Sequence, residues 1–273
     1  MKKKLISLSL ILMTSSYLFA EPNTTNKKIE TISEAEKKAI MEEMDFSLPS
    51  AGALANSLTA NLGKIDWAKF MDFKVKDISR FSRQKRALYL GAKGADAYFL
   101  VFSKDSANLN GVSKSINNTL NKIIINKKPL AKRVGKNNLK KLEKSIKSKK
   151  WSSVLEQINN LKNKIAFEFE KSKENDLKIL NDVGGWLEGY RIAVEGFNTN
   201  FKAETTDVLV QNDLIEFLLK EMKDVKSFTE KDTLVKILQD INAVLSKATK
   251  EHRLSKKQVV ELSKILVNTN SII

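Results

Sequence analysis

The residues best suited to acid–base or metal chemistry are scarce in this chain. The sequence contains no cysteine and a single histidine, His252, which lies in the segment KEHRLS between two helical patterns. A Ser-His-Asp triad or an imidazole metal site would need His252 as its only histidine, and thiolate chemistry is excluded. We interpret His252 as an exposed turn residue, so the histidine and cysteine content predicts no catalytic residue, no metal site and no cofactor.

Carboxylates are the other candidates for chemistry. On a helical wheel, Glu188 falls in water beside Arg191 at i,i+3, and Asp96 falls on a polar face as a solvated partner of Lys93. A cluster of four acidic residues lacks the spacing of a calcium loop and is interpreted as helix-surface charge: Glu168, Glu170, Glu174 and Asp176. The alternative is a hydrolase whose acidic site is assembled from separate helices, as carboxylate pairs are in glycosidases.

Glycines are concentrated in one helical pattern. Residues 181–196, NDVGGWLEGYRIAVEG, hold four of the ten glycines, although each glycine inside a helix costs about 1 kcal/mol relative to alanine. A row of small residues allows a second helix backbone to come close, and residues 87–99 offer a matching row. We therefore predict a structural helix-crossing seam formed by Gly91, Gly94, Ala95, Gly185, Gly189 and Gly196. A second interpretation is a small-molecule site in an aromatic-lined cavity near Tyr98, Trp186 and Tyr190.

Positive charge is also concentrated in one segment. The chain has a formal net charge of +16, and residues 104–150 carry 14 basic and 2 acidic side chains, a net charge of +12. Five of these cations fall on one face at helical spacing, opposite Leu139, Leu142 and Ile146: Arg133, Lys136, Lys140, Lys144 and Lys147. A surface of this kind attracts anionic lipid, lipopolysaccharide phosphate or acidic polymers.

Of two other interpretations of the basic segment, one stays open and one is disfavoured. Lysine is abundant throughout the chain, so the segment is also compatible with an ordinary solvated face. Nucleic acid is disfavoured as the partner because aromatic side chains barely interleave with the basic ones.

The N-terminus has the pattern of an export signal. Residues 1–20, MKKKLISLSLILMTSSYLFA, combine three lysines, a short apolar run and a more polar end at Ala20, which is typical of a signal peptide. No later segment has the roughly 18 consecutive apolar residues of a transmembrane helix. We expect an exported protein, periplasmic or secreted, with cleavage after Ala20.

The elements that must position these residues are helices. Residues 21–32 are polar and aperiodic, which predicts a flexible lead-in, and residues 33–273 form a succession of helical patterns. These patterns cover 33–44, 47–62, 83–104, 107–126, 136–149, 154–173, 175–197, 203–224, 230–249 and 256–267. Capping sequences begin at Ser153, Thr229 and Ser255, and the run Ile123-Ile124-Ile125 is assigned to the end of a helix. The predicted fold is all-α: a single domain of about ten mostly antiparallel helices in an irregular helical bundle.

Three short blocks resemble a known family. The blocks are the helix start Ser47-Leu-Pro-Ser50, the segment ALYLGAKGAD (residues 87–96) and the segment GGWLEGY (residues 184–190). In this order they are similar to an uncharacterised family of exported bacterial all-helical proteins, many of which are lipoproteins. The chain departs from that pattern because it lacks the lipid-bearing cysteine, and the resemblance implies fold and export but no activity.

The expected function is therefore binding rather than catalysis. We expect an exported helical protein of the bacterial cell envelope that binds or scaffolds anionic partners through residues 104–150.

Overall fold

The structure describes residues 65–74 and 76–273, together with the buried helical residues Leu58 and Leu62. It is a computed structural model, and all of these residues belong to one unit, Ser47–Ile273. The predicted signal peptide (1–20), the lead-in (21–32), the helix at 33–44 and most of the helix at 47–62 lie outside the described residues.

Helices account for nearly all regular structure in the described part of the chain. Its α-helices are α1 (Arg83–Phe102), α2 (Ser106–Lys122), α3 (Leu130–Val134), α4 (Lys136–Lys147), α5 (Trp151–Lys171), α6 (Asn175–Thr199), α7 (Asn212–Asp224), α8 (Lys231–Leu245) and α9 (Lys256–Val267). Short 3₁₀ segments cover Trp67–Phe70, Ala203–Leu209 and Asn268–Ser271, and a two-stranded hairpin pairs β1 (Ile124–Ile125) with β2 (Lys128–Pro129). The prediction of an all-α helical bundle is confirmed.

Local capping explains several helix starts. The predicted capping box at Ser255 is confirmed, because the Ser255 hydroxyl accepts from the Gln258 amide while the Gln258 side chain accepts from the Ser255 amide. The capping sequences at Ser153 and Thr229 were wrong. Helix α5 begins two residues before Ser153, with Lys150 at its N-cap, and α8 begins after Glu230; neither start has a side-chain cap.

Three helix ends come earlier than predicted for one shared reason. Helices α1, α4 and α5 are each followed by a lysine in the left-handed conformation: Lys104, Lys149 and Lys173, with φ of 54°, 53° and 56°. In α1, the Lys104 amide donates to the Val101 carbonyl and the Asp105 amide donates to the Leu100 carbonyl, which is a Schellman ending. Glycine is the usual residue here, so lysine gives no stop signal, although its charge favours a helix C-terminus.

The isoleucine run was assigned to the wrong element. Helix α2 ends at Lys122, and Ile124–Ile125 pairs with Lys128–Pro129 in an antiparallel hairpin. The two turn residues, Asn126 and Lys127, have φ of 50° and 63°, as a type I′ turn requires. The partner strand follows after only two turn residues and is itself two residues long, so it shows no strand pattern in the sequence.

Helices α1 and α6 form the centre of the bundle and make its most extensive helix pairing. They run in the same direction: Arg83 pairs with Glu174 where the two helices begin, and Lys93 and Asp96 meet Glu188 and Arg191 further along. Residues 87–101 of α1 are buried on almost every side, as are most residues of α6 from Leu177 to Phe197. A helix enclosed in this way has no solvent face for a helical wheel to identify.

The α1–α6 crossing is closest at two glycines. A Cβ atom added to Gly91 would lie 1.8 Å from the Asn181 carbonyl oxygen, and one added to Gly184 would lie 2.0 Å from the Leu88 carbonyl oxygen. Gly185 also lies at the crossing, with its added Cβ 3.3 Å from the Gly91 carbonyl oxygen. The predicted seam did not include Gly184, because it was drawn along the side of the helix that carries Gly185, Gly189 and Gly196.

Gly94 and Gly196 do not lie at this close contact, and Ala95 lines a cavity. Gly94 has no atom within 4 Å of an added Cβ, because it faces a cavity that Ala95 also lines. Gly196 packs against the Trp67 ring, 2.6 Å from an added Cβ, and not against α1. Gly189 is buried in α6.

Candidate functional site

Helix α4 presents a row of exposed lysines. Leu139, Leu142 and Ile146 are buried, as the sequence predicts, so the opposite side of α4 faces solvent. Lys140, Lys144 and Lys147 are exposed there, while the side chain of Lys136 lies outside the described residues. Together with six other exposed lysines they form what we call the lysine surface: Lys127, Lys128, Lys132, Lys140, Lys141, Lys144, Lys147, Lys149 and Lys150.

The lysine surface is not neutralised by neighbouring carboxylates. Within the part of the chain that the structure describes, none of its nine ammonium groups forms an ion pair. Glu143 is exposed on α4, and Asp105 is occupied in capping α2. The unpaired charge is therefore available to an external anion.

Arg133 does not belong to this surface. It lies in α3, which Gly135 (φ 87°) separates from α4, so the predicted five-residue row is interrupted. Its Nε donates to Glu168 Oε2 over 2.7 Å and its Nη2 donates to the Ser172 hydroxyl, which ties α3 to α5. Arg133 therefore has a structural role, whereas the wheel had treated residues 133–147 as one helix.

A second feature is a small cavity between five helices. Its volume is about 80 Å³, and its wall is mainly aliphatic: Leu90, Gly91, Gly94, Ala95 and Tyr98 of α1, Ile116 of α2, Leu142 of α4, Ile158, Leu161, Lys162 and Ile165 of α5, and Asn181, Asp182, Gly185 and Trp186 of α6. Two of the three aromatic residues expected around a cavity, Tyr98 and Trp186, line it. Tyr190 does not, because it is fully buried and its hydroxyl donates to the Leu209 carbonyl.

Asp182 is an ionisable group in this apolar cavity. Burial raises its pKa from 3.8 to about 6, which the charges of Lys162 and Lys178 partly oppose and that of Glu221 reinforces. In the described part of the chain its carboxylate makes no hydrogen bond and no ion pair. Ionised Asp182 therefore destabilises the fold.

The titration of Asp182 predicts a pH-dependent stability. A folded-state pKa above the unfolded value means that the folded protein binds more protons between pH 4 and pH 6, so stability falls as pH rises through this range. We expect Asp182→Asn to be more stable than the wild type by ~1–2 kcal/mol at pH 7.5. This is less than the full pKa shift implies, because solvent partly screens the carboxylate. The difference should vanish near pH 4. Denaturant unfolding at both pH values measures it, and the exposed Asp207→Asn variant is the control.

A third feature is a buried cluster of four charged side chains between α1 and α6. Lys93 Nζ lies 2.7 Å from Asp96 Oδ2, and Arg191 lies 2.8 Å and 2.5 Å from the two Glu188 oxygens. Asp96 is fully buried and Glu188 is 7% exposed, so the prediction that both are solvated was wrong. The predicted pairing of each carboxylate with its cation was correct.

The two carboxyl groups of this cluster meet each other. Burial and the neighbouring Glu188 raise the pKa of Asp96 to about 7, and the buried Asp96 Oδ1 has no hydrogen-bond partner among the described residues. Burial also opposes ionisation of Glu188, but the hydrogen bonds and charge of Arg191 lower its pKa overall. Of the two carboxyl groups, Asp96 thus holds a proton more readily than Glu188.

The cluster also holds the segment before α1 in place. Lys93 Nζ donates to the Asp72 carbonyl over 3.1 Å, and Arg191 Nη2 donates to the Phe70 carbonyl over 2.6 Å. Neither Asp96 nor Glu188 lines the cavity described above. The two carboxylates therefore come together as the hydrolase interpretation requires, but they are buried and paired with Lys93 and Arg191.

The remaining chemical candidates lie at surface or structural positions. His252 is exposed in a turn, as predicted. Glu168 pairs with Arg133, Glu174 pairs with Arg83, and Asp176 accepts from the Lys226 amide, so these carboxylates connect elements. In the described residues, no group of three or more histidine, cysteine or acidic side chains could hold a metal ion.

The fold and these features define an all-α helical bundle with a lysine surface and a small aliphatic cavity. No helix of the described residues has the length and apolar character needed to span a bilayer. Comparisons of the chain with protein-family models, with curated proteins and with solved structures found no match.

Sequence reasoning missed Asp182 and the burial of the charged cluster. A signal for the cluster was present, because α1 and α6 are rich in small and apolar residues around most of their circumference. Such helices are buried on all sides, and their few charged residues must then be paired inside the protein. Asp182 had no such signal, since a carboxylate two residues before a glycine pair is indistinguishable in the sequence from ordinary helix surface.

Proposed function

We propose that this protein is an exported, all-helical binding protein of the bacterial cell envelope that contacts anionic partners through its lysine surface. The observation that carries this proposal is the set of nine exposed lysines without an acidic partner in the described residues. Export rests on the N-terminal signal pattern and on the resemblance to exported helical proteins. Partners of the right chemistry are anionic lipid headgroups, lipopolysaccharide phosphates and acidic polymers.

Physical arguments favour a diffuse electrostatic contact over a shaped anion site. Lysine ammonium groups are flexible point charges, and the surface contains no arginine once Arg133 is paired with Glu168. Each lysine near an anionic bilayer contributes about 1 kcal/mol, and the attraction weakens with salt. The proposal therefore predicts strong salt dependence and little preference among anionic headgroups.

Charge removal on α4 tests the proposal. We expect Lys140→Gln, Lys144→Gln and Lys147→Gln combined to reduce binding to vesicles containing 30% anionic phospholipid at least tenfold, since about 3 kcal/mol of attraction is lost at low salt. Sedimentation of vesicles with the mature protein at several salt concentrations measures this. Parallel assays with lipopolysaccharide and with polyphosphate distinguish the possible anions.

The matched control removes three exposed lysines elsewhere: Lys220, Lys250 and Lys257. It changes net charge by the same amount and should bind almost as well as the wild type. Equal losses in both triple variants would mean that only overall charge matters, and unchanged binding in the α4 variant would refute the proposal.

A further inference from the structure

The cavity combines an aliphatic wall with polar groups that lack partners. Lys162, Asn181 and Asp182 all line it and are partly buried. Within the described residues, none of these three side chains makes a hydrogen bond or an ion pair, whereas Tyr98 and Trp186 are satisfied by Asn159 and Gln211. In this part of the chain their polar atoms are unpaired and still reach solvent, and a mostly apolar pocket with a few convergent polar groups of this kind is typical of a small-molecule site.

The size of the cavity limits the apolar part of that molecule. An engineered cavity of about 150 Å³ accommodates benzene, so a cavity of about 80 Å³ holds an apolar group of about three to four carbon atoms. The lining is dominated by leucine and isoleucine, and Gly94 leaves open space where a side chain would otherwise project. A short branched alkyl group fits this volume and shape better than an aromatic ring.

The charges at the cavity define the polar part of the molecule. Asp182 and Lys162 carry opposite charges and are close enough to influence each other, yet they form no direct ion pair. A simple amine would satisfy Asp182 but would add a like charge beside Lys162. A simple carboxylate would satisfy Lys162 but would lie beside the Asp182 carboxylate. A zwitterion satisfies both groups.

We propose that the cavity is a binding site for a free amino acid with a branched aliphatic side chain. The side chain occupies the space beside Gly94, the ammonium group faces Asp182, the carboxylate faces Lys162, and the Asn181 amide completes the polar contacts. This site is separate from the lysine surface, and its ligand does not depend on the proposed function.

The ligand test uses four compounds that differ by one group each. Calorimetric titration of the mature full-length protein with L-leucine should give saturable binding. 3-Methylbutylamine, which lacks the carboxylate, 4-methylpentanoate, which lacks the ammonium group, and glycine, which lacks the alkyl group, should each bind at least tenfold more weakly. Equal binding of leucine and either singly charged compound would overturn the zwitterion assignment, and no binding of leucine at millimolar concentration would overturn the site.

Protein variants place the ligand in the cavity. Gly94→Leu fills the open space and should abolish leucine binding without lowering the melting temperature. Gly111→Leu is the matched control, because Gly111 is exposed in α2 and also has no atom within 4 Å of an added Cβ. Asp182→Asn should weaken leucine binding at least tenfold while keeping the protein folded. Wild-type affinity in Gly94→Leu or in Asp182→Asn would refute the proposal.

Discussion

Gly91→Ala should lower the free energy of unfolding by about 3 kcal/mol or more. The added methyl group would lie 1.8 Å from the Asn181 carbonyl oxygen and 2.8 Å from the Gly185 amide nitrogen. Both atoms belong to the backbone of α6, so no side chain rotation relieves the overlap. Either the two central helices must move apart or the variant must leave part of the core unpacked. Denaturant unfolding followed by circular dichroism measures the loss.

Gly94→Ala provides the control three residues further along the same helix. Its added methyl group meets no atom within 4 Å, so the substitution should be neutral or stabilising by up to about 1 kcal/mol, because alanine favours a helix. Gly184→Ala repeats the test from the other helix, where the added Cβ would lie 2.0 Å from the Leu88 carbonyl oxygen. If Gly91→Ala and Gly94→Ala were equally stable, the close crossing of α1 and α6 would be wrong.

Arg191→Met should lower the free energy of unfolding by ~3–5 kcal/mol, the cost of leaving one member of a buried ion pair without its partner. The substitution would leave Glu188, which is 7% exposed, beside the Asp96 carboxyl group and would remove the hydrogen bond to the Phe70 carbonyl. Lys93 would then be the nearest remaining cation of the cluster. Equilibrium unfolding in urea at pH 7 measures the change.

Two further variants separate charge from packing. Combining Arg191→Met with Glu188→Gln removes the uncompensated charge, so the double variant should be more stable than Arg191→Met alone. Lys236→Met breaks an exposed pair with Asp240 and should change stability by less than ~0.5 kcal/mol. A loss in Arg191→Met as small as that in Lys236→Met would show that Glu188 is solvated, as the helical wheel suggested.

The helices were predictable because their signals are local. From residue 83 onward, every long predicted helix has a counterpart, but the pattern at 203–224 covers the 3₁₀ segment Ala203–Leu209 before α7 begins at Asn212, and the pattern at 230–249 ends early, at Leu245. Other errors at helix ends come from features that sequence patterns hide. Lysines in the left-handed conformation end α1, α4 and α5 where glycine is the usual residue. The exposed row Lys140, Lys144 and Lys147 was predictable for the same reason, since burial of Leu139, Leu142 and Ile146 fixes the orientation of α4.

The candidate sites were less predictable because they depend on which helices meet. Arg133 lies at the same helical spacing as the lysine row, but Gly135 starts a new helix and Glu168 of α5 engages the guanidinium group. Gly94 and Gly91 look equivalent in the sequence, yet one faces a cavity and the other contacts a backbone. These differences arise from neighbours far away in the chain.

The sequence by itself determined the helical periodicity, the capping box at Ser255, the local concentration of positive charge and the shortage of histidine and cysteine. Each depends on residue type and on separations of a few positions. Only the tertiary structure decided that α1 and α6 are enclosed, that Asp96 and Glu188 meet inside the protein, and that Lys162 and Asp182 share a cavity. A helical wheel describes one helix against water, whereas burial depends on the helices packed around it, and those contacts are set by the whole chain.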